Sequence, residues 1–194
     1  MLEKRTLQKG NASLPEKSGY DETGIPAPEL IERVIEVKRV SKVVKGGKRL
    51  RISACVVVGD GKGMVGIGHG KAAEVALAVQ KATLRAKKNL TPVAIKGTTI
   101  PHETFGKFSA SRVLLKPAAS GTGLVACPKV RAVLEAVGIK DCLTKSLGSN
   151  SSYNLALATL KALKQLRTIE EIARSRNKPL SYLVTKKDLT QKVN

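Results

Sequence analysis

The stretch Leu50 to Lys71, LRISACVVVGDGKGMVGIGHGK, constrains this chain most: an alternating run enters six glycines and leaves them at a lysine. Leu50, Ile52, Ala54, Val56 and Val58 share one face, and Arg49, Arg51, Ser53 and Cys55 the other. That period of two predicts a strand buried on one side only. Gly59-Asp60-Gly61-Lys62-Gly63 predicts a reversal, since glycine reaches positive φ without a Cβ clash and Asp-Gly favours hairpins. In the returning strand Val65 and Ile67 point one way, while Met64, Gly66 and Gly68 leave the other face nearly bare, open to another backbone. With a basic helix beside it, the bare face is expected to lie close against a polyanion.

Other readings of these glycines fail on neighbouring residues. Gly61, Gly63 and Gly66 spell G-x-G-x-x-G, but a dinucleotide site needs a helix opening there and an acidic residue about 20 positions on. Met64 to His69 reads as strand, and the downstream region is the basic end of a helix. A phosphate loop of the form G-x-x-x-x-G-K-[ST] is broken by Val65 at its first position and Ala72 at its last.

Charge narrows the partner. The 194 residues carry 35 Lys+Arg against 15 Asp+Glu, a net charge of +20. Residues 1–36 hold 5 basic and 7 acidic side chains, so the remainder holds 30 against 8, or +22. The cationic part is therefore the part with folding patterns, and nucleic acid is the expected partner, ahead of an acidic membrane. No apolar run approaches the roughly 18 residues that span a bilayer, and the N-terminus lacks a secretory core. Cys55, Cys127 and Cys142 show no C-x-x-C spacing, and His69 and His102 are the only histidines, so reduced thiols and no metal or cofactor are expected. Aromatics make up 3% of the chain, which favours binding folded RNA by charge and shape over stacking on single strands.

Along the chain, residues 1–28 read as a mobile arm rich in glycine and proline. Leu30 to Val44 reads as a strand whose apolar register switches near Arg39, as at a bulge. It leads into a basic tip where Lys42, Lys45, Lys48, Arg49 and Arg51 surround Gly46-Gly47, with Lys62 and Lys71 on the next hairpin. A helix is predicted over Ala72 to Lys88, with a core stripe of Val75, Val79, Ala82 and Ala86. Lys81, Arg85, Lys87 and Lys88 crowd its end, where they serve the helix dipole or an RNA. Asn89-Leu90-Thr91-Pro92 marks a boundary between a domain at 29–90 and an α/β domain at 91–167. The second domain reads as strands at Val93 to Ile100 and Ser111 to Lys116, a glycine-rich loop at Pro117 to Leu124, and a helix Lys129 to Val137 closed by Gly138. A strand Ile139 to Leu143 and a helix Tyr153 to Leu166 follow. Thr168 and Glu171 form a capping box for a last short helix, ahead of a basic tail, within a segment of 168–194.

These residues resemble the bacterial-type S5 family of small-subunit ribosomal proteins. The likeness runs over about residues 34–167, through RVSKVVKGG at Arg39, VVVGDGKGMVGIGHGKAAEV at Val56, GTGLVA at Gly121 and VRAVLEAVGI at Val130. It implies an α+β fold: a double-stranded-RNA-binding-like module, with a three-stranded antiparallel sheet plus helix, and a C-terminal βαβ-type two-layer module. It also implies a structural, non-enzymatic protein of the small subunit that binds ribosomal RNA where body meets head and supports accuracy near the messenger entry path. The implied neighbours are ribosomal proteins S4 and S8, and the implied setting is a ribosome, in bacterial cytoplasm rather than an organelle. Ser41, Lys42, Val43, Lys45, Gly46 and Gly47 match the family's neck-directed loop, and Gly123 and Arg131 its positions near the protein neighbour. Cys127-Pro128 and Asn150-Ser151-Ser152 depart from the family pattern.

Two other classes compete. Pro117 to Cys127 is similar to the glycine-serine phosphate loop of small-molecule kinases, although Leu124 and Val125 stand where serines belong, with Glu135 and Asp141 as candidate metal partners. A duplex-RNA or DNA chaperone outside the ribosome would show the same basic surface.

Overall fold

The structure, a computed structural model, describes residues 30–179. The expected arm at 1–28 and the tail from 180 on lie outside the described residues. The first sheet comprises β1 (Ile31–Val44), β2 (Gly47–Gly59), β3 (Met64–Ala72) and β4 (Thr91–Pro92), in that order and antiparallel throughout. The sheet has four strands where three were expected, because the chain leaving the helix returns to pair Val65 with Thr91 and Met64 with Pro92. The bulge in β1 falls between Val34 and Glu36, earlier than the apolar switch at Arg39 implied.

Helix α1 (Val75–Lys88) starts three residues later than the pattern suggested, since β3 runs on through Ala72. Its buried stripe is Ala78, Ala82, Thr83 and Ala86, with Val75 left exposed. The reason lies beneath it. Gly70, Gly68 and Gly66 form a groove in β3, and a Cβ added at each would stand 2.2, 1.9 and 2.2 Å from the carbonyl oxygens of Ala78, Ala82 and Ala86. Four helical residues rise about 6.0 Å and two strand residues about 6.6 Å, so the alanine ridge and the glycine groove stay in step along the helix. The bare glycine face is thus filled by this chain's own helix and is not open to a polyanion.

β2 is buried on both faces rather than one. Val56 and Val58 lie under α1, while Cys55 and Val57 enter the larger core with Val65, Ile67, α2 (Pro128–Val137) and α3 (Ser152–Lys164). That core spans both halves of the chain. The second sheet orders β5 (Thr104–Phe108), β6 (Ser111–Pro117), β8 (Cys142–Gly148) and β7 (Leu124–Val125) as β5-β6-β8-β7. Only β7 and β8 are parallel, and α2 crosses between them to make the βαβ unit. Val93 to Ile100, expected as a strand, instead contains a turn closed by Lys96 and Thr99. The expected strand at Ile139 begins at Cys142, because Gly138 at φ 97° ends α2 and residues 139–141 turn the chain into the sheet. Helix α4 (Ile169–Ser175) carries the expected capping box: Glu171 N donates to Thr168 Oγ1, and Thr168 N donates to Glu171 Oε2.

The two halves also join through backbone. Gly61 N and Gly63 N, in the turn after β2, donate at 3.0 Å to the carbonyls of Ala136 and Val137. The end of α2, whose carbonyls lack partners within the helix, is capped by the other half of the molecule. Asp60 holds that turn from inside, its Oδ1 accepting from Lys62 N and Met64 N at 2.8 Å.

Candidate nucleic-acid interface

β1 and β2 outrun the sheet that carries them. β3 pairs with β2 only from Ile52 onward, so the pairs from Val40–Arg51 to Val44–Gly47 stand free as a two-stranded ribbon. Five pairs at about 3.3 Å each give a projection of about 17 Å. At its tip Gly46 and Gly47 hold φ of 93° and 141°, and nothing lies within 4 Å of where a Cβ would be.

Register sorts the ribbon into two faces. Lys42 lies directly across from Arg49, Val40 from Arg51, and Lys38 from Ser53, which in turn pairs with Lys71. Lys38, Lys42, Arg49, Arg51 and Lys71 therefore share one face, with Lys45 exposed at the tip and Lys48, across from Val43, exposed on the reverse. Lys38 was missed by sequence reasoning, although counting back by twos from Lys42 reaches it. Lys38 meets Glu36 at 3.1 Å, whereas Lys42, Lys45, Lys48, Arg49, Arg51 and Lys71 form no ion pair among the described residues. Like charges set opposite one another in a sheet repel, so the Lys42–Arg49 pair favours an anion between them. The reverse face is mixed, with Val43 73% and Leu50 59% exposed beside Ser41, and with Arg39 and Lys48 placed on it by the register.

The remaining candidates are scattered. Lys62 sits in the turn at the far end of β2, and Lys81 and Lys88 are exposed on α1, across the sheet from the cationic face. Arg85 and Lys87 already have protein partners: Arg85 Nη1 donates to the His69 carbonyl at 2.7 Å, and Lys87 Nζ meets Glu32 Oε1 at 2.9 Å.

At the base of the ribbon His69 Nε2 is hydrogen-bonded to Ser53 Oγ at 2.6 Å, and its ring lies 5.1 Å from that of Tyr153 in α3. Burial, and then the charges of Lys71 and Arg85, hold its pKa below the ordinary value, so the ring is neutral at pH 7. Nearby, Ser152 Oγ donates to Glu36 Oε2 and holds that carboxyl below its usual range against the opposing effect of burial, with Lys38 and Lys129 adding to the shift.

Gly123 and Arg131 occupy a second corner. Asp141 Oδ1 accepts from Gly121 N at 3.0 Å and Gly123 N at 2.9 Å, while Arg131 Nη2 donates to the Leu124 carbonyl at 3.1 Å. The Gly123 amide, the Thr98 hydroxyl and the Gly121 amide hold the Asp141 carboxyl below its ordinary value. The kinase reading fails here on geometry: the amides that would cradle a phosphate are occupied by a carboxylate of the chain itself, whose charge repels one.

A projecting cationic ribbon on an α+β frame, together with a glycine loop whose amides are already held by a carboxylate, fits a nucleic-acid-binding protein and not a phosphoryl-transfer enzyme. The family model described as ribosomal protein S5, N-terminal domain, matches residues 30–94, and that of the ribosomal protein S5, C-terminal domain, matches residues 106–176. The chain belongs to the ribosomal protein S5 family. It is a structural, non-enzymatic protein of the small ribosomal subunit that binds ribosomal RNA and neighbouring ribosomal proteins, in a ribosome of cytoplasm or organelle.

Proposed function

We propose that the β1–β2 ribbon is this chain's principal RNA-holding element, gripping ribosomal RNA where the subunit's body meets its head. Through that grip the chain supports decoding accuracy near the messenger entry path. The observation that carries this reading is the face bearing Lys42, Arg49, Arg51 and Lys71 without a carboxylate partner, on a projection long enough to follow a phosphate backbone. Lysines and arginines there displace condensed counterions, while Lys45 and Lys48 extend the contact around an unobstructed glycine tip. Lys62, Lys81 and Lys88 bind phosphates at the periphery, and Arg85 and Lys87 contribute alongside their contacts within the fold. Ser41, Lys42 and Val43 form the neck-directed part of the ribbon. Gly123 and Arg131 meet a protein neighbour, with S4 and S8 as the partners and bacterial cytoplasm as the setting. The functional units run over 29–90 and 91–167, flanked by the arm at 1–28 and the helix and tail at 168–194.

The test is sucrose-gradient sedimentation of lysates holding the intact chain or a Lys42→Gln/Arg49→Gln/Arg51→Gln variant, over a salt series. The intact chain is expected with the small subunit, leaving it only at high salt. Each phosphate that the variant no longer neutralises lowers the slope of log affinity against log salt by roughly 0.7–0.9. A variant that sediments and responds to salt like the parent would sink the ribbon as the holding element. A parent that stays at the top of the gradient would favour the chaperone reading.

A further inference from the structure

Helix α1 seats its alanine ridge on β3 and covers Val56 and Val58 of β2, but only its flank reaches β1. There Thr83 Oγ1 donates to Glu32 Oε2 at 3.4 Å, and Lys87 meets the same carboxylate. Counting back by fours along that flank gives Val79 and then Val75. On the strands, the bulge between Val34 and Glu36 brings Val34 and Val37 to one face, that of their β2 partners Val56 and Ala54. Arg39, across from Ile52, and Ser41, across from Leu50, continue it. Val34, Val37, Leu50 and Val75 are 51, 41, 59 and 49% exposed, and Ile52 is half-buried. They form an apolar strip beside α1 that runs about 23 Å from Val34 to Ser41. Arg39 stands within it and forms no ion pair among the described residues.

We propose that residues 14–29 of this chain fold back over the strip, setting apolar side chains on Val34, Val37, Leu50 and Val75 and a carboxylate on Arg39. Those residues lie outside the described ones, and four properties select them as the occupant. Leu30, to which they are joined, packs on the Val56, Val58, Ala82 and Ala86 cluster, so the segment enters beside the strip. Sixteen extended residues reach about 50 Å, roughly twice the strip, which leaves length for Gly24, Pro26 and Pro28 to turn the chain back. Leu14, Tyr20 and Ile25 supply apolar groups along it. Glu16, Asp21, Glu22 and Glu29 stand against Lys17 alone, whereas residues 30–194 hold 31 basic and 10 acidic side chains, so the field of the body attracts the segment. Residues 180–194, with three lysines and one aspartate, have the wrong sign for Arg39 and leave from α4 in the other half. Valine and leucine give RNA bases no platform to stack on, and Lys42, Arg49, Arg51 and Lys71 lie on the opposite face of the sheet, so a docked segment leaves the RNA-holding face free.

The experiment replaces Val37, and in a second preparation Leu50, with the photo-crosslinking residue p-benzoylphenylalanine in the full chain. The free protein, stripped of nucleic acid in high salt, is irradiated at about 100 mM salt, where charges within about 10 Å still attract. Peptide mass then locates the crosslink. The expected product joins each probe to a peptide within residues 14–29 of the same chain, in a yield unchanged by tenfold dilution. Adding Asp21→Lys and Glu22→Lys is expected to cut that yield about tenfold, since like charges reject a partner. A crosslink to residues 180–194, a crosslink between two copies that fades on dilution, or no crosslink from either probe overturns the proposal. A charge-reversed variant that crosslinks like the parent overturns the role of Arg39 in it. No RNA is present, so each of these results leaves the ribbon's part in holding RNA as it was.

Discussion

Replacing Gly68 by alanine adds one methyl group at the tightest point between β3 and α1. Gly68 takes an ordinary backbone conformation, so the substitution by itself would stabilise by about 0.4–1 kcal/mol by restricting the unfolded chain. The methyl, however, would stand 1.9 Å from the Ala82 carbonyl oxygen and 2.6 Å from Ala86 N, both backbone atoms in the middle of a helix. Ordinary contact near 3.4 Å requires α1 to retreat by 1.5 Å, the difference between the two distances. A gap of 0.5–1 Å already forfeits a quarter to a half of the dispersion energy of the atoms along it, and Ala78, Ala82 and Ala86 all line this one. Overpacking costs about 1–3 kcal/mol, and the upper end applies because no rotamer change relieves a backbone clash. The net loss is about 2–3 kcal/mol, out of a total near 5–15, and the melting temperature should fall by about 5–10 °C. Circular dichroism melts of the full chain in moderate salt measure it. An unchanged or raised melting temperature would refute the ridge-and-groove account, and with reduced RNA affinity it would restore the glycine face to the RNA.

Asp141→Asn should loosen the 117–124 loop. A carboxyl held below its ordinary pKa adds stability that is complete above the unfolded value near 3.9 and lost as pH falls through the lower folded value. The gap in melting temperature between parent and variant should therefore be full at pH 6 and narrow below pH 4; a gap independent of pH would refute the assignment. Among the thiols, burial pushes Cys55 up to about 12 and Cys142 up to about 11, so iodoacetamide at pH 8 should label the half-buried Cys127 first and Cys55 only on unfolding. Early labelling of Cys55, followed by peptide mass, would contradict its place in the shared core. With a net charge of +20, the free chain should melt lower at about 10 mM salt than at 200 mM, and equal melting temperatures would show that self-repulsion is minor.

What could be read from the residues was what depends on near neighbours. The Gly59–Gly63 turn, the Gly138 stop after α2 and the Thr168–Glu171 box were all readable because each rests on backbone conformations and hydrogen bonds within a few positions. The ribbon's charges were readable too, but not the gathering of Lys38, Lys42, Arg49, Arg51 and Lys71 on one face, which depends on the register of β1 against β2 and of β2 against β3. The second buried face of β2 escaped because Arg49 and Arg51 are polar where the ribbon is free and Ser53 is polar at its base, while Cys55 and Val57 on the same side are core. One strand changes environment halfway along, and a single periodicity cannot describe both parts. The bare face at Gly66 and Gly68 was visible, but its meaning was the packing of a helix rather than room for RNA, and the alanine ridge at 78, 82 and 86 that fills it was hidden behind an expected stripe that began at Val75 and Val79. Asp141 gave no local signal, since the amides it holds lie 18 and 20 residues earlier.

The core shared between the halves has a consequence for how the protein is made. The last strand of the first sheet is finished at Pro92, but α2, which covers Cys55, Val57, Val65 and Ile67 and takes the amides of Gly61 and Gly63, is complete only at Val137. At about 5–20 residues per second, those 45 residues occupy roughly 2–9 s of synthesis. For that interval the newborn N-terminal half carries a raw apolar surface and a turn with nothing to bind. The nascent chain is at its most adhesive midway through translation, and its own later half is what makes the earlier half safe to release.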